Sequence, residues 1–144
     1  MRASIALRGE HTELTRLQAF ADEFAHRCGL PDDERLRLLI ILEELFTNAV
    51  THSQKPHLAE GTIAVGLSWR TGRLWISFVD DGQMFDPLAY GGPDFAEAAE
   101  ERTIGGLGIH IVRRLVHKAR YRRMGGRNHL HLVRRIACAS GAAG

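Results

Sequence analysis

The sequence predicts an α/β two-layer sandwich: a mixed, mostly antiparallel sheet covered by helices on one face. Three observations carry that prediction. Two amphipathic stretches with helical periodicity fill the first third of the chain, from His11 to Arg27 and from Leu36 to Ser53. Alternating stretches follow in two hairpin-spaced pairs, Thr62 to Arg70 with Arg73 to Asp81, and Tyr121 to Met124 with His129 to Ile136. Between the pairs, Gly105-Gly106-Leu107-Gly108 opens a third apolar helix.

The elements can be justified in order. Ser4 to Arg8 alternates and reads as a short first strand. In the first helix Leu14, Leu17, Phe20, Ala21 and Phe24 recur at helical spacing, and Gly29 ends it. The second helix starts behind Pro31, Asp32 and Asp33, a proline near the first turn with acidic residues at the positive end of the dipole. Leu38, Ile41, Leu42, Leu45 and Ala49 form its apolar arc. Glu44 and Asn48 sit four residues apart at the edge of that arc, either as groups at the mouth of a pocket or as the solvated edge of an ordinary amphipathic helix. Glu43 points about 100° away, toward the surface or another helix. The stretch Gln54 to Gly61 is a loop.

In the first hairpin, Ile63, Val65, Leu67 and Trp69 share a face, and Thr71-Gly72 makes the turn. On its second strand Leu74, Ile76 and Phe78 share a face, and period two puts Asp80 at the end of that row. A carboxylate there needs a partner, which a ligand can supply. Gly82 to Ile104 is a long irregular stretch of the kind that is functional or mobile. The last two strands flank a Gly125-Gly126 turn.

Composition narrows the classes. The 144 residues fit one domain, placed at 1–136, with the small-residue run 137–144 as a frayed tail. A share of 44% hydrophobic and 25% charged residues supports a packed core and a soluble surface. A formal net charge of +2 demands no nucleic acid. Cys28 and Cys138 lie far apart without metal spacing, which argues against a disulfide scaffold or zinc site and favours a reducing compartment. No signal peptide and no apolar run of about 20 residues is seen, so a cytoplasmic protein is expected.

Three stretches point at one site. Glu44 and Asn48 offer a carboxylate and a carboxamide for a hydrated Mg²⁺ or a phosphoryl-transfer hydroxyl. Asp80 and Gly82 lie at a strand end. The glycine run opens a helix whose N-terminal amides can cradle phosphates. Together they predict a nucleotide between helices and sheet.

In this pattern the sequence resembles the GHKL ATPase superfamily (the Bergerat fold), and within it the bacterial anti-sigma-factor serine/threonine kinases. EELFTNAVTHS resembles that family's N box, which implies Glu44 as catalytic base and Asn48 as magnesium ligand. VDDGQMFDP resembles its adenine-binding box, which implies Asp80 as acceptor for the adenine amino group and Gly82 as the point of close approach. IGGLGIHIV is similar to its second glycine box, which implies Gly105, Gly106, Leu107 and Gly108 as phosphate and lid contacts. Two positions depart from the family's pattern. Met84 stands where the adenine box has its second glycine, either holding the loop off the nucleotide or serving as pocket wall. The family's last-strand threonine near the adenine is replaced in a region expected at His129, Leu130, His131 and Leu132.

The resemblance implies an ATP- and Mg²⁺-dependent serine kinase that acts as an anti-sigma factor in a partner-switching system and phosphorylates a small antagonist protein. Its partners would be a sigma factor and that antagonist, with no direct nucleic acid and no membrane, and with homodimerisation compatible. The alternative is a non-catalytic adenine-nucleotide-binding regulator, motivated by Met84 and a short lid. A dinucleotide fingerprint at GGLGIH ranks lower because it follows a loop and lacks the third glycine. A sensor histidine kinase shares the fold but would need a phospho-acceptor helix pair. His129 and His131 share a strand face and read as an exposed or hydrogen-bonded pair before a metal site. The basic cluster of Arg113, Arg114, Lys118, Arg120, Arg122 and Arg123 reads first as a solvated face and second as a docking surface for an acidic protein.

Overall fold

A computed structural model describes residues 1–52, 62–89 and 105–137. The expectations for the loop at 54–61, for the long stretch from 90 to 104 and for the tail from 138 onward, Cys138 included, lie outside the described residues. The described elements are β1 (Arg2–Arg8), α1 (Leu14–Arg27) behind a 3-10 turn at His11–Glu13, α2 (Asp32–His52), β2 (Thr62–Arg70) and β3 (Arg73–Asp80). A 3-10 turn at Pro87–Ala89, α3 (Gly105–Leu115), β4 (Lys118–Met124) and β5 (Arg127–Arg135) follow.

The strands form one sheet in the order β1-β2-β3-β5-β4. All four pairings are antiparallel. The two-layer sandwich is as expected, but the parallel component of a mixed sheet is not found among the described strands. β3 pairs with β5, and β4 is displaced to the edge. Both hairpins close on two residues with positive φ, Thr71 at 50° with Gly72 at 73°, and Gly125 at 59° with Gly126 at 71°. That geometry is a type I′ turn, whose twist matches the strands it joins.

The side of the sheet that meets the helices is set by alternation. Ile63, Val65 and Leu67 of β2, Leu74, Ile76 and Phe78 of β3, and Leu130 and Leu132 of β5 are all buried. They join Leu38, Ile41, Leu42, Leu45 and Phe46 of α2 in one core cluster. α1 ends as its glycine requires: Leu30 N donates to Ala25 O and Gly29 N to His26 O, both at 3.0 Å, with Gly29 left-handed at φ 63°. Glu43 turns away from the core and accepts from Gln18 Nε2 at 2.6 Å, which ties α2 to α1.

A buried ion pair fixes the start of α2 to the far end of the sheet. Arg134 of β5 donates from Nε to Glu34 Oε2 at 2.6 Å and from Nη2 to Oε1 at 2.8 Å. Its Nη1 donates to the carbonyl of Leu115, at the end of α3. Arg37 also bonds Glu34, at 2.7 Å. Hydrogen bonds from Arg134 hold the Glu34 carboxyl below the usual carboxylate range, against the opposing effect of burial. A depressed carboxyl contributes stability above its unfolded pKa and loses it as pH falls through its folded value.

Replacing Glu34 by Ala strands a buried guanidinium and should cost about 3–5 kcal/mol in urea unfolding at neutral pH. The Glu34→Leu/Arg134→Met pair should recover most of that loss. Below the usual carboxylate range the difference between wild type and Glu34→Gln should shrink. Equal stability of Glu34→Ala and wild type at neutral pH would show that the pair holds nothing together.

Candidate functional site

The site lies where the C-terminal half of α2 passes over the ends of β3 and β5. α2 presents Leu45, Asn48 and Ala49 to a cleft whose other walls include Phe78, Phe85 and Leu130. Asp80 and Asn128 stand at its polar end. A larger trough lies on the opposite side of the sheet, away from every residue of this set.

Asp80 ends the buried row of β3 and is half-buried. Its Oδ1 accepts from Gly82 N at 2.9 Å and from Asn128 Nδ2 at 3.0 Å. Among the described residues no donor reaches Oδ2, which leaves that oxygen as the acceptor offered to a ligand. Burial raises the Asp80 carboxyl above its ordinary value, and the bonds from Asn128 and Gly82 oppose that rise.

Asn128 is the residue that organises this corner. It lies directly across from Asp80 in the β3–β5 register and is only 6% exposed. Its amide donates to Asp80 and to Gln83 O, the latter at 2.7 Å. Its carbonyl accepts from Tyr121 Oη at 2.6 Å, Arg123 Nη1 at 3.1 Å and Phe85 N at 3.3 Å. Arg123 Nη1 also reaches Gly82 O at 2.8 Å. The segment from Gly82 to Phe85 is therefore held by side chains of β4 and β5. Phe85 is further stacked on His52, with ring centroids 4.6 Å apart and planes 10° off parallel.

The sequence reading missed Asn128 and looked one residue later, at His129 to Leu132. The cause is the strand start, which falls at Arg127 rather than His129. Period two counted back from Leu132 and Leu130 would have placed Asn128 on the inward face. His129 and His131 instead lie on the other face, their rings 6.4 Å apart and 20° from parallel. No group of three or more metal-type ligands occurs among the described residues.

Met84 lies on the loop that follows β3. Its side chain is 73% exposed. It lines neither part of the cleft. Thr71 is the only non-glycine residue with positive φ among those described, so no left-handed strain sits at Met84. Met84 thus stands exposed on a loop tied through Asn128, outside the lining of the cleft.

Asn48 is 5% exposed, and its Oδ1 is buried with no hydrogen-bond partner among the described residues. An orphaned carboxamide oxygen at a cleft is costly unless something binds it. A hard cation such as Mg²⁺, which takes oxygen ligands, fits that atom.

Glu44 sits one turn earlier on α2 and is half-buried. Its carboxylate lies against Gly108 in the first turns of α3. A Cβ at Gly108 would fall 2.7 Å from the Glu44 Cδ and closer still to Oε2, so any larger residue there would turn the carboxylate out of its present position. Gly105, Gly106 and Leu107 form the helical turn before it. The structure thus brings Asn48 and Asp80 to one cleft, with Gly82 beside it, and sets Glu44 against Gly108 where α3 opens.

Comparison with known proteins bears on this arrangement. Residues 7–134 match the family model described as a histidine kinase-like ATPase domain. The serine/threonine-protein kinase BtrW of Bordetella bronchiseptica is 31% identical over 102 residues, which cover 69% of each chain. The fold is similar to the RsbU and RsbW domains of Rv1364c from Mycobacterium tuberculosis, with a TM-score of 0.69 at 19% identity. That match covers 94% of this chain but only 32% of the larger protein. A histidine kinase domain from Erythrobacter litoralis EL346 aligns with a TM-score of 0.51 at 20% identity, covering 87% of this chain and 60% of that one. With a cleft between α2 and the ends of β3 and β5, a helix edge carrying Glu44 and Asn48, and a family match across nearly the whole described fold, this chain belongs to the histidine kinase-like ATPase domains, the GHKL superfamily, alongside serine/threonine-protein kinase relatives.

Proposed function

We propose that this domain binds ATP with Mg²⁺ and transfers the γ-phosphoryl group to a serine hydroxyl of a small antagonist protein, as the kinase of a cytoplasmic anti-sigma partner switch. The observation that carries the reading is the pairing on α2 of a carboxylate packed against the opening of α3 with a buried, unpartnered carboxamide oxygen one turn later. The name of the kinase relative from Bordetella bronchiseptica supports the reaction type.

Each residue has a distinct task. Asp80 accepts a hydrogen bond from the adenine amino group through Oδ2, while Asn128 and the Gly82 amide hold Oδ1 and so fix the carboxylate's orientation. Leu45, Ala49 and Phe78 give the base an apolar wall. The amides that open α3, from Gly105, Gly106 and Leu107, face phosphate oxygens as helix N-termini do. Asn48 Oδ1 holds the magnesium ion, which neutralises phosphate charge when bound. Glu44 takes the proton of the serine hydroxyl as its oxygen bonds to the γ-phosphorus and ADP leaves. A sigma factor is the second partner in this reading.

The decisive experiment incubates the protein with radiolabelled ATP and candidate antagonist proteins. Transfer to serine is expected, and Glu44→Gln should lower it by roughly 10²–10⁴-fold while ATP affinity changes little. Nucleotide binding without transfer to any candidate would instead make the protein a regulator that holds its partner without phosphorylating it.

Gly108→Ala tests the packing of the base. The added methyl must displace the Glu44 carboxylate, so transfer should fall about as far as in the Glu44 variant while the melting temperature stays close to wild type. Undiminished transfer would detach Gly108 from the positioning of Glu44.

Asn128→Ala releases Asp80, Gln83 and Phe85 together. Calorimetry should show ATP affinity reduced at least about tenfold, and unfolding a loss of about 1–3 kcal/mol for the stranded buried partners. Full ATP affinity in that variant would mean the loop holds its shape without the amide.

A further inference from the structure

The face of the sheet turned away from the helices carries charge of one sign. Asp80 is the only acidic residue in the five strands, and it points toward the helices. The nearest carboxylate in sequence, Asp81, follows β3 at the end opposite Arg73. The formal charge of +2 therefore hides a segregation, with the acids on the helical layer and loops and basic residues across the open face.

Position separates two kinds of basic residue on that face. Lys118, Arg120 and Arg122 lie on β4, an edge strand, where charge keeps the edge from pairing with other chains. Arg70, Arg73 and Arg135 have no such reason, because β2, β3 and β5 are interior strands. Arg73 is directly opposite both Arg70 and Arg135 in the register, and all three are exposed. Like charges directly opposite on adjacent strands destabilise a sheet. None of the three has an ion-pair partner among the described residues.

Beside this row the face is hollow. A trough of about 450 Å³ is floored by Gly66, Ser68 and Ser77 and walled by Arg2, Trp75 and His131. Across the β2–β3 register Gly66 stands opposite Ser77, and Ser68 stands opposite the wall residue Trp75. A hollow of small residues beside Trp75 and Val133, bordered by charge, suits a protein-binding surface. A nucleic acid would call instead for cations along a path and rings laid flat to the face. A second copy applied by a two-fold axis would set this one-signed surface against itself.

We propose that the open sheet face docks an acidic segment of another protein, with an apolar side chain in the trough and carboxylates over Arg70, Arg73 and Arg135. This site is separate from the nucleotide cleft, which lies on the other side of the sheet, and does not depend on the kinase reading.

A phage-displayed random peptide library panned on the immobilised protein tests it, with the Arg73→Glu/Arg135→Glu variant as counter-target. Enriched peptides should be rich in Asp and Glu around an aliphatic or aromatic residue. As synthetic peptides they should bind wild type about tenfold or more tighter than the charge-reversed variant, with affinity that falls as salt rises. Ser77→Arg, which fills the trough without removing charge, should weaken them too. Cooperative thermal melting qualifies each variant, and Arg73→Glu alone serves if the double variant fails to fold. Peptides that are not acidic, or that bind all variants equally, would overturn the proposal. A single-stranded oligonucleotide that binds more tightly than the best peptide and is lost in the same variants would give the face to nucleic acid and overturn it. So would sedimentation showing a dimer that Ser77→Arg splits.

Discussion

The hydrogen bond between Asp80 and Asn128 is the constraint on which the site depends. It crosses the β3–β5 pairing at the point where the buried apolar rows of both strands run out. Two polar side chains at the end of a core are tolerable only if nearly all their atoms are matched. The amide of Asn128 achieves this with five partners, and in doing so draws the segment after β3 against β4 and β5. The shape of the cleft follows from that satisfaction of polar atoms, since the carboxylate left facing it has one oxygen committed and one available.

Local patterning explains why most of the fold was readable. Both type I′ hairpins, the helix ending at Gly29 and the inward faces of β2 and β3 follow from short-range rules about turns, caps and alternation. What did not follow was non-local. Nothing in the spacing says that β3 pairs with β5 and leaves β4 at the edge, or that Glu34 meets Arg134 across 100 positions. Within the site, Glu44, Asn48 and Asp80 stood out as polar residues at the margin of apolar rows. Asn128 follows the same logic but was hidden by a strand start placed two residues late. At Met84, where the motif departs from the family's glycine, the backbone needs no positive φ and the residue is exposed, neither of which the motif alone discloses.

α2 carries both ends of the architecture. Its first turn is clamped to β5 by Arg134 through Glu34, and its last turn stacks His52 on Phe85. Between them lie the core-filling residues and, on the same helix, Glu44 and Asn48. Placing the polar pair on a helix pinned at both ends limits how far either side chain can drift from the cleft.

The guanidinium of Arg134 serves α3 as well as α2, because Nη1 holds the carbonyl of Leu115. That carbonyl is at the C-terminal end of α3, whereas Gly105 and Gly108 are at the other. The helix is thus moored at its tail and meets Glu44 near its head. Over 11 residues it forms a rigid arm about 16 Å long. A tilt of about 10° around the moored end would swing Gly108, about 10 Å from that end, by about 2 Å, the difference between touching and clearing the Glu44 carboxylate. Small rotations at the sheet's far corner are therefore geared up to displacements of atomic size beside Glu44.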